Sequence, residues 1–160
     1  YYTPSGRCVQ AIDYSNRNED GSVGHIPDSL THVFYTSRGR EVRDGGGITP
    51  DIKLKTPEYP DIVYSIVMSG VLEEYALGYV REHPSIAPAA EYSFDDWEGF
   101  LKLMETKLKD KTALEELRRE DIVQFIEQEI VVRYWFQPAS VEVRLKYDSQ
   151  LKEALQAPLI

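Results

Sequence analysis

The chain has 160 residues, of which 42% are hydrophobic and 28% charged, enough apolar material for one domain or two small ones. Its formal net charge of −9 disfavours contact with phosphate backbones, so we expect no nucleic-acid partner. No apolar run approaches the ~18–20 residues that cross a bilayer, and no signal peptide is recognisable. Because Tyr1 opens strand-like sequence without an initiator Met, we expect a piece of a longer protein with any targeting segment upstream.

The first residues have the composition of a strand followed by a turn. Tyr1 and Tyr2 suit a strand, and T-P-S-G at residues 3–6 is typical of a tight turn. Residues 8–12 predict a short strand. Residues 13–29 are polar and rich in Asn, Gly and Pro, which predicts a long surface loop.

A hairpin is predicted next. Residues 32–36 have high strand propensity, and S-R-G at residues 37–39 turns the chain so that residues 40–42 return beside them. The three glycines at residues 45–47 predict a sharp bend or a close backbone approach. Residues 48–54 are predicted to be a last extended segment. We expect the segment before this hairpin, residues 1–12, to be frayed, paired with the hairpin or paired with another copy.

After residue 56 the apolar residues recur at helical spacing. Pro60–Asp61 opens a helix that Gly70 can bend and that His83–Pro84 ends. A capping-box variant, S-F-D-D at residues 93–96, predicts the start of a second helix. Its apolar face is formed by residues four, three and four apart: Trp97, Leu101, Met104 and Leu108.

A third and longer helix is predicted to begin at a second capping box, T-A-L-E at residues 112–115, and to end at Gln137–Pro138. Its core face repeats every four residues: Ile122, Ile126, Ile130 and Tyr134. Residues 141–145 alternate like a strand but are also compatible with a helical turn. Residues 147–148 lead into a last helix with Leu151, Ala154 and Leu155 on one face.

These elements predict an α+β fold. A small antiparallel β part with a hairpin occupies residues 1–56, and a C-terminal helical bundle occupies residues 57–160. The boundary lies where strand and turn residues give way to helical periodicity.

The reactive side chains form no recognisable catalytic or metal-binding pattern. His25, His32 and His83 have no second His or Cys at ligand spacing, so we expect no metal and no cofactor. Ser5 lies in T-P-S-G rather than in the nucleophile elbow G-x-S-x-G. Cys8 has no neighbouring base and is interpreted as a small buried strand residue.

Three further patterns have a functional and a structural interpretation. The glycines at residues 45–47 lack the Lys-Ser/Thr pair of a P-loop and the spacing of a dinucleotide fingerprint, which favours a turn. The acidic stretches at residues 19–20, 95–96, 115–116 and 127–129 are interpreted as solvated faces or helix caps. The aromatic cluster Tyr134-Trp135-Phe136 is expected to be core or else a docking surface.

Two phrases carry a specific resemblance. Y-Y-T-P-S-G-R-C-V-Q at residues 1–10, followed by G-I-T-P-D at residues 47–51, resembles the carboxy-terminal processing proteases, also called tail-specific proteases. These are Ser-Lys peptidases of bacteria and chloroplasts. The first phrase has Val9 where the family usually has Ile. The helical residues 130–135 and 146–148 resemble, more loosely, the C-terminal extension of one bacterial branch of these enzymes.

The resemblance implies that the catalytic residues lie outside this sequence. In the family the nucleophilic serine, the general-base lysine and an assisting glutamine precede the first phrase, and a PDZ domain lies further upstream. Gln10 has the wrong context to be that glutamine, so we assign no catalytic residue to this chain and expect it to be inactive alone.

The sequence therefore supports two functional hypotheses. The first is a non-catalytic C-terminal fragment of a serine-type carboxy-terminal processing endopeptidase of the periplasm or cell envelope. It would support the protease core, shape substrate access or self-associate. Its partners would be the rest of the parent chain, protein or peptide substrates, and further copies in a homo-oligomer. The alternative is a helical protein–protein interaction or oligomerisation module without relation to peptidases.

Overall fold

The structure is a computed structural model that describes residues 1–10, 12–17, 20, 23–25, 30–45, 47–48, 52–108 and 112–157. The chain divides into two compact units, Tyr1–Leu54 and Lys55–Ile160. The first unit contains antiparallel two-stranded sheets, and the second is helical. This arrangement confirms the predicted α+β fold with an N-terminal hairpin and a C-terminal helical bundle. In the described part of the chain, no helix combines the length and the apolar character needed to cross a membrane.

The first ten residues fold back on themselves. The N–H of Gly6 donates to the carbonyl of Thr3 at 2.9 Å, and Gly6 has a φ of 85°, which side chains rarely tolerate. Tyr2 and Cys8 then face each other in an antiparallel bridge. The predicted turn is therefore present. Within the chain, residues 1–10 are therefore neither frayed nor paired as a strand with the predicted hairpin, because the two arms of the turn pair with each other. Their pairing with another copy stays a prediction.

Two strands occupy part of the segment predicted to be a loop. β1, Ile12–Arg17, pairs antiparallel with β2, Val23–His25, with Ile12 opposite His25 and an irregular register towards Arg17. The loop prediction for residues 13–29 is therefore wrong over these two strands. Strand pairing uses backbone N–H and C=O groups, which polar side chains permit equally well, so composition did not reveal it. The remaining residues of that segment, apart from Asp20, lie outside the described ones.

The second hairpin follows the prediction closely. β3, Val33–Tyr35, pairs antiparallel with β4, Glu41–Arg43. Gly39 closes the turn with a φ of 78° and donates its N–H to the carbonyl of Thr36 at 2.9 Å. The hairpin also meets the first turn, since Arg7 Nη1 donates to the Arg43 carbonyl at 3.4 Å.

The glycine run bends the chain as predicted. Gly45 and Gly47 have φ angles of 81° and 74°, and Gly46 lies outside the described residues. The predicted extended segment at residues 48–54 contains no strand among its described residues.

The helical unit opens with two helices where one was predicted. α1, Asp61–Met68, and α2, Val71–Glu82, are separated by Gly70, whose φ of 78° ends the first helix. A left-handed residue cannot continue a right-handed helix, so Gly70 breaks the segment rather than bending it. α2 ends before His83, as the His-Pro pair predicts.

α3, Trp97–Lys107, is capped by Asp96 and not by the predicted Ser93. The Asp96 carboxylate accepts from the N–H of Gly99 at 3.1 Å and from the hydroxyl of Tyr75 at 2.7 Å. A Cβ atom at position 99 would collide with this carboxylate. The predicted stripe on α3 is confirmed for Met104, which is fully buried, and its other members are partly buried against the core: Trp97, Leu101 and Leu108. The prediction missed Phe100, which is also fully buried.

The second predicted capping box forms a separate short element. Residues Thr112–Glu116 are a 3₁₀ helix, and α4, Arg119–Tyr147, begins after the extended residue Arg118. The prediction that the long helix starts at residue 112 is therefore wrong. Short 3₁₀ helices are common connectors before α-helices, and the buried Leu117 lies between this one and α4.

α4 is interrupted at Phe136, which has a φ of 62° and a ψ of −169°. Pro138 lies in the first turn of the distal half, residues 137–147, where its missing N–H costs no helical hydrogen bond. The helix therefore breaks at the predicted place but resumes, so residues 141–145 are helical rather than a strand. α5, Ser149–Gln156, follows with Asp148 as its cap, accepting from the Leu151 N–H at 2.9 Å.

The core lies within the helical unit. Among the described residues, the buried apolar side chains run from Ile62 on α1 to Val143 on the distal half of α4. The predicted stripe on α4 is confirmed for Ile122, Ile126 and Ile130, which are at most 1% exposed. α5 buries no residue, and Leu155 is 79% exposed.

Candidate functional site

The serine and cysteine of the first turn have structural surroundings. Ser5 is exposed, and its Oγ lies 2.9 Å from Thr3 Oγ1 within the turn. Cys8 is half-buried and pairs with Tyr2 across the bridge. These contacts are the local hydrogen bonding expected of turn residues, and they do not resemble an activated nucleophile beside a base.

The histidines lie in different places. His32 is beside Asp44, with Nδ1 3.6 Å from Oδ2, but its side chain is 79% exposed. His83 stacks on Tyr79 at 3.9 Å between ring centroids and donates from Nδ1 to the Tyr79 carbonyl at 2.9 Å, which caps the end of α2. His25 ends β2, where its side chain is not described. In the described part of the chain, no group of three or more His, Cys, Asp or Glu side chains could hold a metal ion.

One acid differs from its predicted role. Glu127 is 1% exposed and is not part of a solvated face. Its Oε1 accepts from the backbone N–H of Phe94 at 2.9 Å, and its Oε2 accepts from Lys146 Nζ at 2.5 Å and from the Tyr147 hydroxyl at 2.9 Å. The burial of Glu127 could have been predicted from its spacing in the sequence. Glu127 lies four residues from both Val123 and Val131, which are buried on the same face of α4.

This buried cluster joins segments that are far apart in the chain. Lys146 also donates to the Tyr92 carbonyl at 2.7 Å, so the segment before α3 is tied to both halves of α4. Burial, together with the hydrogen bond to Glu127, raises the pKa of Tyr147 above its usual range. With every partner in place, the cluster fixes the position of the distal half of α4 and has no free group for acid–base chemistry.

Other acids act as caps or in surface pairs. Asp96 caps α3, and Glu129 pairs with Arg133 at 2.7 Å on the surface of α4. In one continuous helix, Glu115 would lie within ion-pair reach of Arg118 and Arg119. Arg118 instead pairs with Asp121 at 2.8 Å, because the 3₁₀ helix and α4 are not one continuous helix.

The aromatic cluster of α4 is only partly in the core. Tyr134 is half-buried and donates its hydroxyl to the His83 carbonyl. Trp135 is 49% exposed and Phe136 is 75% exposed. The core interpretation is therefore wrong for these two residues, and the docking interpretation remains for them.

Two of the grooves that the described residues form on the helical unit have volumes of about 500 Å³ or more. The first has a volume of about 600 Å³ and lies between residues 57–59, α4 and the start of α5; it is named the α4–α5 groove. The second has a volume of about 500 Å³ and lies between residues 74–82 of α2 and the first half of α3; it is named the α2–α3 groove. Both are within the ~300–1,000 Å³ range of sites that bind small molecules or short segments.

The two grooves differ in charge. The charged residues of the α4–α5 groove are Arg144 and Asp148. Those of the α2–α3 groove are Arg81 against three acids, Glu74, Glu82 and Asp96. Among the described residues, the two grooves therefore offer surfaces that are available for binding.

Comparison with known proteins found a match for the later part of the helical unit. Residues 101–157, which run from α3 to α5, match the family model described as "Probable PDZ-protease, C-terminal helical domain". Searches among curated proteins and among solved structures each found no match. The match agrees with the protease resemblance of the sequence, rather than with a module unrelated to peptidases. The match of residues 101–157 therefore supports the interpretation of the chain as the C-terminal portion of a protease-family protein.

Proposed function

We propose that the chain is the non-catalytic C-terminal portion of a serine-type carboxy-terminal processing endopeptidase of the periplasm or cell envelope. The family match supports the relation of residues 101–157 to a PDZ-protease. The phrases at residues 1–10 and 47–51 support the finer assignment to the Ser-Lys class. In this proposal the first unit belongs to the protease core, and the helical unit binds proteins.

The single observation behind the binding role is the surface of the helical unit. Its core is complete, with Phe94 and Phe100 fully buried, yet large apolar side chains remain exposed on the later helices. Phe136 is 75% exposed and Leu155 is 79% exposed. Contiguous patches of exposed apolar side chains mark surfaces that another protein covers, and Phe136 is next in the chain to Trp135, which is 49% exposed. The protein covering them would be the parent core, a protein substrate or a second copy of the chain.

A peptidase assay tests the non-catalytic part of the proposal. The purified 160-residue chain and its Ser5→Ala variant are incubated with a panel of unstructured protein substrates that carry free C-termini. We expect no turnover by either protein, because Ser5 is bonded within its own turn. Robust turnover that the Ser5→Ala substitution abolishes would overturn the proposal.

Sedimentation over a concentration series tests self-association. We expect a reversible increase in mass that Leu155→Ser weakens, because this leucine is among the most exposed apolar side chains of the helical unit. A monomer at all concentrations would contradict self-association and would leave the parent core and the substrates as the proteins bound.

A further inference from the structure

The α2–α3 groove contains a glycine that the fold does not require. Gly78 lies in the interior of α2 with a right-handed helical backbone, and a Cβ atom added there would meet nothing within 4 Å. A glycine in a helix interior lowers stability relative to alanine. Neither a turn nor a close internal contact explains Gly78, and its effect is to leave the floor of the groove open to an approaching backbone.

A second residue of the same groove is also unfavourable for the helix. Glu82 is the last residue of α2, where the helix dipole favours a cation and disfavours an acid. Its side chain is exposed, and among the described residues it has no hydrogen bond or ion pair. Two departures from local helix rules, Gly78 and Glu82, thus line one groove, and such departures concentrate at functional sites.

The walls of the groove combine apolar side chains with three acids, which outnumber the one lining cation, Arg81. Leu77 on α2 is 47% exposed and Leu103 on α3 is partly exposed, so both have area left to bury. Glu74 is 53% exposed and pairs with Lys107 at 2.7 Å, a surface pair that is worth little to the fold. The net charge of −9 of the whole chain adds a long-range attraction for cations.

From this combination we propose that the α2–α3 groove binds a basic amphipathic helical segment of another protein. The apolar side of that helix packs over Gly78 against Leu77 and Leu103, and its lysines or arginines face Glu74 and Glu82. This is the helix-in-groove mode of recognition, with anchors three or four residues apart. The inference rests on the proposed binding role of the helical unit and names the chemistry of the partner.

The probe is a fluorescein-labelled synthetic helical peptide with leucines at i, i+4 and i+7 and lysines at the flanking positions. Two matched peptides carry glutamates in place of the lysines or the same residues in scrambled order. Binding to the full chain is followed by fluorescence anisotropy, and amide chemical shifts locate it. We expect a Kd of roughly 10–100 µM for the lysine peptide at low salt, and weaker binding of both matched peptides.

Variants of the chain then test the groove itself. Gly78→Leu fills the floor, so we expect it to weaken binding by at least about tenfold while improving helix propensity. Leu77→Ser should weaken binding by about three- to tenfold, because roughly half of that side chain remains to be buried. Glu82→Lys should shift preference from the lysine peptide towards the glutamate peptide.

Matched controls lie on α4. Leu145 is 47% exposed, like Leu77, and Glu142 is an exposed acid on a helix outside the groove. Leu145→Ser and Glu142→Lys should therefore leave peptide affinity unchanged within about twofold.

Four results would overturn the proposal. The first is that the lysine peptide does not bind up to about 1 mM, and the second is that the scrambled peptide binds as tightly as the lysine peptide. The third is that the α4 control variants weaken binding as much as the groove variants do. The fourth is that a second copy of the chain occupies the groove, which would be seen as self-association that Gly78→Leu abolishes. None of them bears on the absence of peptidase activity, so a failure here is distinguishable from a failure of the proposed function.

Discussion

Replacing Glu127 by alanine should be far more damaging than replacing Glu129, although both are ion-paired glutamates of α4. Glu127 is 1% exposed and accepts three hydrogen bonds, whereas the Glu129 side chain is 37% exposed and pairs with Arg133, whose side chain is 16% exposed. The comparison therefore separates burial from charge, because the residue type, the helix and the substitution are the same.

The expected loss can be assembled from the partners that Glu127→Ala leaves behind. The N–H of Phe94 is fully buried and loses its acceptor, which costs about 1–3 kcal/mol. The Tyr147 hydroxyl loses a hydrogen bond worth about 1 kcal/mol. The side chain of Lys146 is 31% exposed and can turn towards water, so its contribution is smaller than for a sealed charge. The total is about 3–5 kcal/mol, against less than about 1 kcal/mol for Glu129→Ala.

Urea unfolding followed by far-ultraviolet circular dichroism reports mainly on the helical unit and measures both variants. A loss of 3–5 kcal/mol corresponds to a fall in Tm of roughly 6–20 °C for a chain of this size. The double variant Glu127→Leu with Lys146→Met should recover part of the loss, because it removes both charges together. If Glu127→Ala and Glu129→Ala lower the free energy of unfolding by the same amount, the buried cluster does not hold the two halves of α4 as described.

Three further predictions follow from individual backbone and side-chain positions. Gly70→Ala should lower the free energy of unfolding by about 1–2 kcal/mol, because φ is 78° there. Gly78→Ala should instead raise it by up to about 1 kcal/mol, because residue 78 lies in a helix interior. Thermal melts of both variants check that the two changes in stability have opposite signs. At Phe136, φ is 62° and ψ is −169°, a backbone conformation that suits glycine. The Phe136→Gly variant should therefore be more stable than the Phe136→Ala variant by about 1 kcal/mol. As a control, Glu142→Ala should be more stable than Glu142→Gly, because residue 142 lies within regular helix. The pKa of Tyr147 is raised in the folded chain, so the stability that its neutral hydroxyl contributes is complete below about pH 10 and is lost as the pH rises further. Tyr147→Phe should therefore reduce the fall of the urea midpoint at alkaline pH. An unchanged pH profile would contradict this reasoning.

The elements that sequence reasoning found are those with a strong local signal. The four-residue repeat of Ile122, Ile126 and Ile130 predicts a helix face, and only a helix brings such residues together. The hairpin around Gly39 was equally clear, because a glycine turn stood between two runs of strand residues.

The errors arose where one local pattern fits two structures. A glycine such as Gly70 can bend a helix or end it. Which of the two occurs depends on whether one continuous helix or two separate helices, α1 and α2, bury more apolar side chains in the core. The box at Thr112 fits a 3₁₀ turn as well as a helix start. Glu127 is the same residue type as a solvated glutamate, and only the positions of Lys146 and Phe94, brought together by the fold, make it a core residue.

The cap of α3 links two positions that should change together among relatives of this chain. Asp96 holds the Gly99 N–H and the Tyr75 hydroxyl at once, and a Cβ at position 99 would meet its carboxylate. A relative that keeps the aspartate has to turn its carboxylate away to admit a side chain three residues later, so glycine is favoured there. One that loses the aspartate is free to carry alanine, and its Tyr75 hydroxyl keeps only the backbone carbonyl of residue 96 as an acceptor. An alignment would show this as covariation of the three columns, a record of the cap that can be read without any structure.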